Sequence, residues 1–349
     1  MKLLVYLIFL LVSFHTQLAL ALSENTLLLD STAKLIPFIK EWKKFSFYSD
    51  IDRLPIKYYN VHEVESEKCL FIVPGKGEAS FKFAEFLYDL KSDEIFRNYN
   101  IFIIDHRGQG LSGRLLPNAQ KVYVKRFHDY ALDLKQFIQF SSLEYGCAEK
   151  NIIAHSMGAL VVLDYLQSLS PLVPNSIHKV VLMAPMIKIK SDLPETLLKI
   201  IVGGSDFINL GKDYAKGEKP YQEDFNESKL KGTHSEVRAR SLMSIYNYFP
   251  EVKKGGVTWH WLNEAIQRAD LVKNSYNRIK IENILVFSPK LDQHVSVLEI
   301  GKACASLKKC QLKEVPHARH DLILERDDIR TGVMQEIKDY FEKIPNSGL

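Results

Sequence analysis

The sequence predicts an α/β protein: a mostly parallel sheet of about eight strands with helices on both faces and an inserted, mainly helical cap. Three observations predict it. Short, continuously apolar runs at residues 69–73, 101–104, 180–184 and 284–287 alternate with segments of helical period, which is the pattern of strands buried on both faces. The short run Ile152-Ile153 leads through a tight, small-residue turn directly into the apolar segment 159–166. Between 186 and 279 the pattern breaks into helical fragments, lone glycines and aromatics with no buried parallel strand, so this stretch reads as an insertion covering the strand ends.

The composition bounds the function. With 349 residues and 46% hydrophobic side chains, the chain can bury one large core or two modest ones; 25% charged residues, 17 glycines and 13 prolines are ordinary for a globular protein. The net charge of +4 is spread without a basic block, which argues against a nucleic-acid partner. A slightly basic surface suits anionic lipid headgroups. At the N-terminus, Met1-Lys2, an apolar run and Ala19-Leu20-Ala21 read as a secretory signal peptide over residues 1–21, cleaved after Ala21. An uncleaved anchor is the alternative, since the run is nearly long enough to span a bilayer, but His15, Thr16 and Gln17 interrupt it. The chain is therefore expected to be exported, to the periplasm or beyond the cell.

The residues around Ser156 carry the chemistry. Asn151-Ile-Ile-Ala-His-Ser-Met-Gly-Ala159 resembles the nucleophile elbow of the α/β-hydrolases, in which a serine sits on a sharp strand-to-helix turn. The positions two before and two after it must be small, and here they are Ala154 and Gly158. Ala154 stands where glycine is usual.

Taken in order, residues 22–44 have helical period and are expected on the outside of the sheet. Residues 45–48 and 56–61 alternate and read as an antiparallel hairpin. The strand at 69–73 ends in Pro74-Gly-Lys-Gly-Glu78, a turn in which flanking glycines leave room for an anion. The expected oxyanion donors are the backbone N–H groups of Lys76 and of Met157. A helix over 79–91 and the strand 100–105 follow. Asp105 and His106, in the glycine-rich turn after it, read as structural rather than as a catalytic pair. Phe127, Tyr130, Leu134, Phe137 and Ile138 bury one face of the next helix.

In 186–279 the aromatics Phe207, Tyr214, Tyr221, Phe225, Tyr246, Tyr248, Trp259 and Trp261 read as a cap supplying an apolar pocket, with most of them packing the cap onto the core. The strand at 284–289 then turns through Asp292. A helix over 297–306, a strand over 310–315 and the loop carrying His320 precede a last helix. The order Ser156, Asp292, His320 is the one expected of an α/β-hydrolase triad: His320 takes the hydroxyl proton and Asp292 orients the imidazole. No metal or organic cofactor is needed. His317 competes as base, but His320 is preferred because its run dips toward the sheet just before the last helix; His294, the polar neighbour of Asp292, reads as a loop residue, and Asp321 reads as serving the start of the last helix.

Together Pro74–Glu78, Asp105-His-Arg-Gly-Gln-Gly-Leu-Ser112, Ala154–Gly158, Leu291-Asp-Gln-His-Val295, Ala318-Arg-His-Asp-Leu-Ile-Leu-Glu325 and the cap segment Gly255-Gly-Val-Thr-Trp-His-Trp-Leu262 are similar to the bacterial lysophospholipase and monoacylglycerol lipase group. The departures are Ala154 for Gly, and Asp321 where that group usually carries Glu. The resemblance implies a serine carboxylic ester hydrolase that releases fatty acid from a single-acyl lipid, with transient contact at a membrane or micelle surface. The competing readings are the same machinery on a non-lipid ester, thioester or small peptide, and a binding protein on an inactive scaffold. The division follows: core over 22–185, cap over 186–279, core again over 280–349. In the strand order of this fold the strands carrying Cys69 and Cys147 are neighbours, which favours the disulfides Cys69–Cys147 and Cys304–Cys310 over four free thiols.

Overall fold

The computed structural model describes residues 21–168 and 177–343; the expected leader lies outside them except for Ala21. Eight strands form one sheet in the order β1-β2-β4-β3-β5-β6-β7-β8. They are β1 (Lys43–Tyr48), β2 (Pro55–His62), β3 (Lys68–Val73), β4 (Asn100–Asp105), β5 (Glu149–His155), β6 (Ile177–Met183), β7 (Ile284–Pro289) and β8 (Cys310–Val315). The opening hairpin β1–β2 is antiparallel and β2 pairs antiparallel with β4; every pairing from β4 through β3 to β8 is parallel.

The apolar runs read as doubly covered strands because they are. Leu70 and Ile72 of β3 point into one core with Ile101, Ile153 and Val181, while Phe71 and Val73 point into the other with Phe102, Ile152 and Val180. The first core is closed by α1 (Leu27–Asp30), α2 (Ile36–Glu41), α3 (Ala84–Ser92) and, at the end of the chain, α10 (Asp327–Glu342). The second is closed by α4 (His128–Tyr145), α5 (Met157–Ser168) and α9 (Val297–Ser306). Gly146, at φ +62°, ends α4 in the left-handed conformation that a helix terminus favours.

Between β6 and β7 no strand joins the sheet. That stretch holds α6 (Glu195–Phe207), α7 (Glu236–Tyr248) and α8 (Trp259–Lys273). Its aromatics divide: Tyr246 and Trp261 are buried, with Trp261 Nε1 donating to Tyr130 Oη at 3.1 Å, while Phe207 is 92% exposed. Three boundaries differ from the sequence reading. The N-terminal helical segment runs only from 27 to 41, with a π-helical turn at Ser31–Leu35, because Lys43 and Lys44 already belong to β1. The helix expected over 79–91 begins as a 3₁₀ turn at Ser80–Phe83. The last helix begins at Asp327 rather than beside Asp321, which instead leads into a 3₁₀ turn at Leu322–Leu324.

Cys69 at the start of β3 is bonded to Cys147, just ahead of β5, and Cys304 of α9 to Cys310 of β8, with Cα separations of 5.7 and 5.4 Å. The first bond closes a separation of 78 residues and the second only six. By loop-closure entropy they stabilise by about 4 and about 2 kcal/mol. Replacing Cys69 and Cys147 together by Ala is therefore expected to lower the urea midpoint more than replacing Cys304 and Cys310. A larger loss from the short loop would show that loop closure is not the source of the stabilisation.

Candidate active site

Ser156 occupies the single residue between β5 and α5 at φ +51°, in the left-handed region that a side chain adopts only under constraint. Its backbone is held to the end of β6 by Ser156 N–H to Met183 O at 2.9 Å and by Met186 N–H to Ser156 O at 3.0 Å. Gly158 packs against the end of β3 so closely that a Cβ there would lie 2.3 Å from the carbonyl oxygens of both Val73 and Pro74. Only glycine fits. Ala154, buried in β5 between Val73 and Leu182, keeps its methyl without disturbing either neighbour strand.

The loop after β7 brings Asp292 to the same strand ends, and the loop after β8 brings His320. His320 Nε2 lies 2.8 Å from Ser156 Oγ, and His320 Nδ1 lies 2.7 Å from Asp292 Oδ2. Asp292 Oδ1 accepts from the N–H groups of His294 at 2.7 Å and Val295 at 2.9 Å. Burial alone would raise the Asp292 pKa, but His320 and these two donors outweigh it and hold the group below the usual carboxylate range. With Nδ1–H donating to Asp292, Nε2 is left to accept the serine proton. His317 is exposed at φ +60° and lines a different surface hollow. His294, expected to be only a loop residue, packs its ring edge-on to His320 with centroids 4.9 Å apart and lines the cavity over Ser156.

The turn expected to supply oxyanion donors is braced from below. Gln109 accepts from Gly77 N–H at 2.5 Å and donates to Gly75 O at 3.0 Å, and His106 Nε2 donates to Pro74 O at 3.1 Å. Lys76 lines the cavity; Met157 N–H, in the first turn of α5, is one of the donors a helix leaves without an intrahelical acceptor. Asp105 has the structural role read for it, accepting from Ser80 and Leu111 backbone N–H at 2.7 and 2.8 Å.

Beneath the triad lies a charged group that sequence reasoning missed. Lys82 Nζ sits 2.6 Å from Glu78 Oε1 and 2.8 Å from Asp321 Oδ1; His155 Nδ1 is 3.0 Å from Glu78, and His155 Nε2 is 3.3 Å from the His320 carbonyl oxygen. Glu78 also accepts the Gly75 N–H. One cluster thus ties together the turn after β3, the residue before Ser156 and the loop carrying His320. Asp321 does not cap a helix; it belongs to this cluster. Burial would raise Glu78, yet Lys82 and His155 pull its pKa from 4.5 down to about 2. Burial would lower His155, yet Glu78 outweighs it and raises the pKa. The only signals in the sequence were the i,i+4 spacing of Glu78 and Lys82 and the histidine preceding the serine.

A cavity of about 450 Å³ lies over Ser156. Met186, Ile189, Leu242, Tyr246 and Trp261 give it apolar walls, and Lys76, Lys190 and Glu218 face it as well. Lys190 has no carboxylate partner among the described residues; Lys76 has only Glu218, at 4.0 Å. A smaller, more apolar cavity of about 140 Å³ between α6 and α8 shares Met186 and Ile189 with the first and adds Leu193, Leu198, Ala265 and Ile266, with Lys188, Glu195, Lys199, Asp270 and Lys273 also lining it.

A family model described as Hydrolase_4, serine aminopeptidase S33, matches residues 64–327, more than half of the chain and all three of Ser156, Asp292 and His320. The chain belongs to this hydrolase family. Among curated relatives, this family member is 28% identical over 304 residues to lysophospholipase L2 of Escherichia coli, covering 85% of this chain and 86% of that one. It is 24% identical over 315 residues to a probable lysophospholipase L2 of Haemophilus influenzae, covering 88% and 95%. The solved structure of a soluble variant of monoglyceride lipase from Saccharomyces cerevisiae shares the fold, with a TM-score of 0.62 at 18% identity over 86% of this chain and 96% of that one.

The charged cluster makes a prediction in pH. A carboxylate held at about 2 against an ordinary 4.5 stabilises the fold above pH 4.5, and that contribution is lost as pH falls toward 2. Urea midpoints measured across this window should fall steeply in the wild type. Glu78→Gln should be less stable at neutral pH and show a shallower fall; an unchanged slope would remove Glu78 from the acid transition.

Proposed function

We propose that the protein is a serine esterase releasing fatty acid from single-acyl lipids, with lysophospholipids as the preferred substrates. The observation that carries the reading is the pair of contacts at 2.8 and 2.7 Å that links Ser156 Oγ through His320 to Asp292. Ser156 Oγ attacks the ester carbonyl while His320 Nε2 takes its proton and Asp292 stabilises the imidazolium. Backbone N–H groups of Lys76 and Met157 stabilise the oxyanion, and collapse expels the alcohol, protonated by His320. Water, activated by His320 in turn, then cleaves the acyl-enzyme.

The names of the two curated relatives support the lipid substrate. The apolar cavity beyond Met186 and Ile189 gives an acyl chain somewhere to lie. Lys190 and Lys76, cations without a strong partner at the mouth, favour a headgroup carrying phosphate over an uncharged glycerol. Fatty-acid release from lysophosphatidylcholine should therefore exceed release from a monoacylglycerol of the same chain. Ser156→Ala and His320→Ala should each lower it by at least about a thousandfold, with His317→Ala near wild type. Should wild type cleave a short synthetic ester but neither lipid, the triad stands and the lipid assignment falls.

We also propose that the chain is exported, which the sequence of residues 1–21 and the two disulfides support, and that it works at a lipid surface. No described helix is long and apolar enough to cross a membrane. α6 nevertheless turns Leu197, Ile200 and Phe207 to solvent at 44, 66 and 92% exposure, continued by Ile208 at 66%, an apolar face beside the apolar cavity. Ile200→Ser with Phe207→Ser should lower the ratio of micellar to monomeric substrate turnover several-fold. An unchanged ratio would place the lipid contact elsewhere.

A further inference from the structure

Ala21 is exposed, whereas Leu22 is buried, with 6% of its surface accessible. The Leu22 N–H donates to Asp89 Oδ1 at 3.1 Å, a buried carboxylate whose other oxygen lies 2.7 Å from Arg330 Nη2. The Leu22 carbonyl accepts from Arg238 Nη2 at 3.5 Å.

The surroundings are short of positive charge. Arg238 is shared between Glu85 at 2.9 Å, Asp327 at 2.7 Å and Glu24 at 3.9 Å, and Arg330 between Asp89 and, at 3.7 Å, Glu85. Two guanidinium groups thus face four carboxylates, of which Glu85 and Asp89 are buried. Burial, only partly offset by Arg330 and Arg238, raises the Glu85 pKa. A buried excess of carboxylate is costly unless another cation completes the set.

We propose that cleavage after Ala21 makes the α-ammonium of Leu22 that cation, so that removal of the leader creates a buried ion pair with Asp89 and locks the mature N-terminus onto α3 and α10. The bond broken is the Ala21–Leu22 amide. Water supplies the hydroxyl to Ala21 and a proton to the new amine, which takes up another to become the ammonium. A backbone N–H in the same place offers Asp89 a neutral hydrogen bond; the ammonium offers a charge-assisted one. Leu22 itself fills the first core beside Leu27, so both its side chain and its amine have a place prepared.

This inference rests on the exported reading, and two measurements separate them. N-terminal sequencing of protein secreted with its own leader should return Leu22; any other first residue overturns the proposal. A thermodynamic cycle then tests the ion pair. It compares secreted protein beginning at Leu22 with protein made without the leader and beginning Met-Leu22, each with Asp89 and with Asp89→Asn. Asp89→Asn should lower the folding equilibrium constant at least about tenfold more in the Leu22 form than in the extended form. Equal effects in the two forms would show that the amine is not paired with Asp89. If Asp89→Asn prevents folding, the titration of the Leu22 amine in the wild-type secreted protein decides: an amine titrating well above the ordinary α-amino range of about 8 supports the pair, and one within it overturns the pair.

Discussion

Everything around the candidate nucleophile depends on one close contact, that of Gly158 with the carbonyls of Val73 and Pro74. A serine at φ +51° costs on the order of 1–3 kcal/mol relative to ordinary backbone. That conformation persists because β5 and α5 are both fixed, β5 by parallel pairing with β3 and β6 and α5 by apolar side chains buried in the second core. The helix can start immediately after the serine only if its first turn lies almost on the end of β3. The same approach brings the first turn of α5 to the turn at 74–78, so the tight elbow and the placement of the proposed oxyanion donors have one cause.

How much of this was legible from the sequence follows from distance along the chain. The strands were, because alternate residues such as Leu70 and Phe71 face two separate apolar layers and leave a continuous run. Ser156, Asp292 and His320 were legible in order because each follows a strand whose end could be read. Helix starts were less so. The 3₁₀ turn at Ser80–Phe83 exists because Asp105, from the next strand, accepts the Ser80 N–H and hydroxyl, an anchor with no trace in residues 79–91. Asp321 was misread for the same reason. Next to a helix-rich segment an aspartate suggests a cap, and only the fold brings Lys82 from far along the chain to 2.8 Å from it.

Buried ion pairs seldom add much net stability, since desolvation offsets most of the attraction, but they penalise every arrangement in which a partner is missing. The cluster of Glu78, Lys82, His155 and Asp321 uses that property at the site. Moving the loop that carries His320 would strand Asp321 from Lys82 and break the bond from His155 to the His320 carbonyl. Shifting the turn at 74–78 would strand Glu78. The loop carrying His320 and the turn at 74–78 are therefore held in register with each other through a shared lysine.

The elements covering the site are held by different kinds of contact. α7 is bound to the core by Arg238, 1% exposed, whose guanidinium reaches Glu85 on α3, the Glu325 carbonyl and Asp327 at the start of α10. Lifting α7 would leave that charge unpaired and cost several kcal/mol. Among the described residues α6 has no such anchor. Its ion pairs, Lys199 with Glu195 and Asp270 and Lys188 with Glu195, lie among half-exposed side chains and are each worth about 0–1 kcal/mol. Among the described residues α6 thus lacks the buried charge that penalises lifting α7, while Val202 and Ser205 keep its inner face buried and Leu197, Ile200 and Phe207 face solvent.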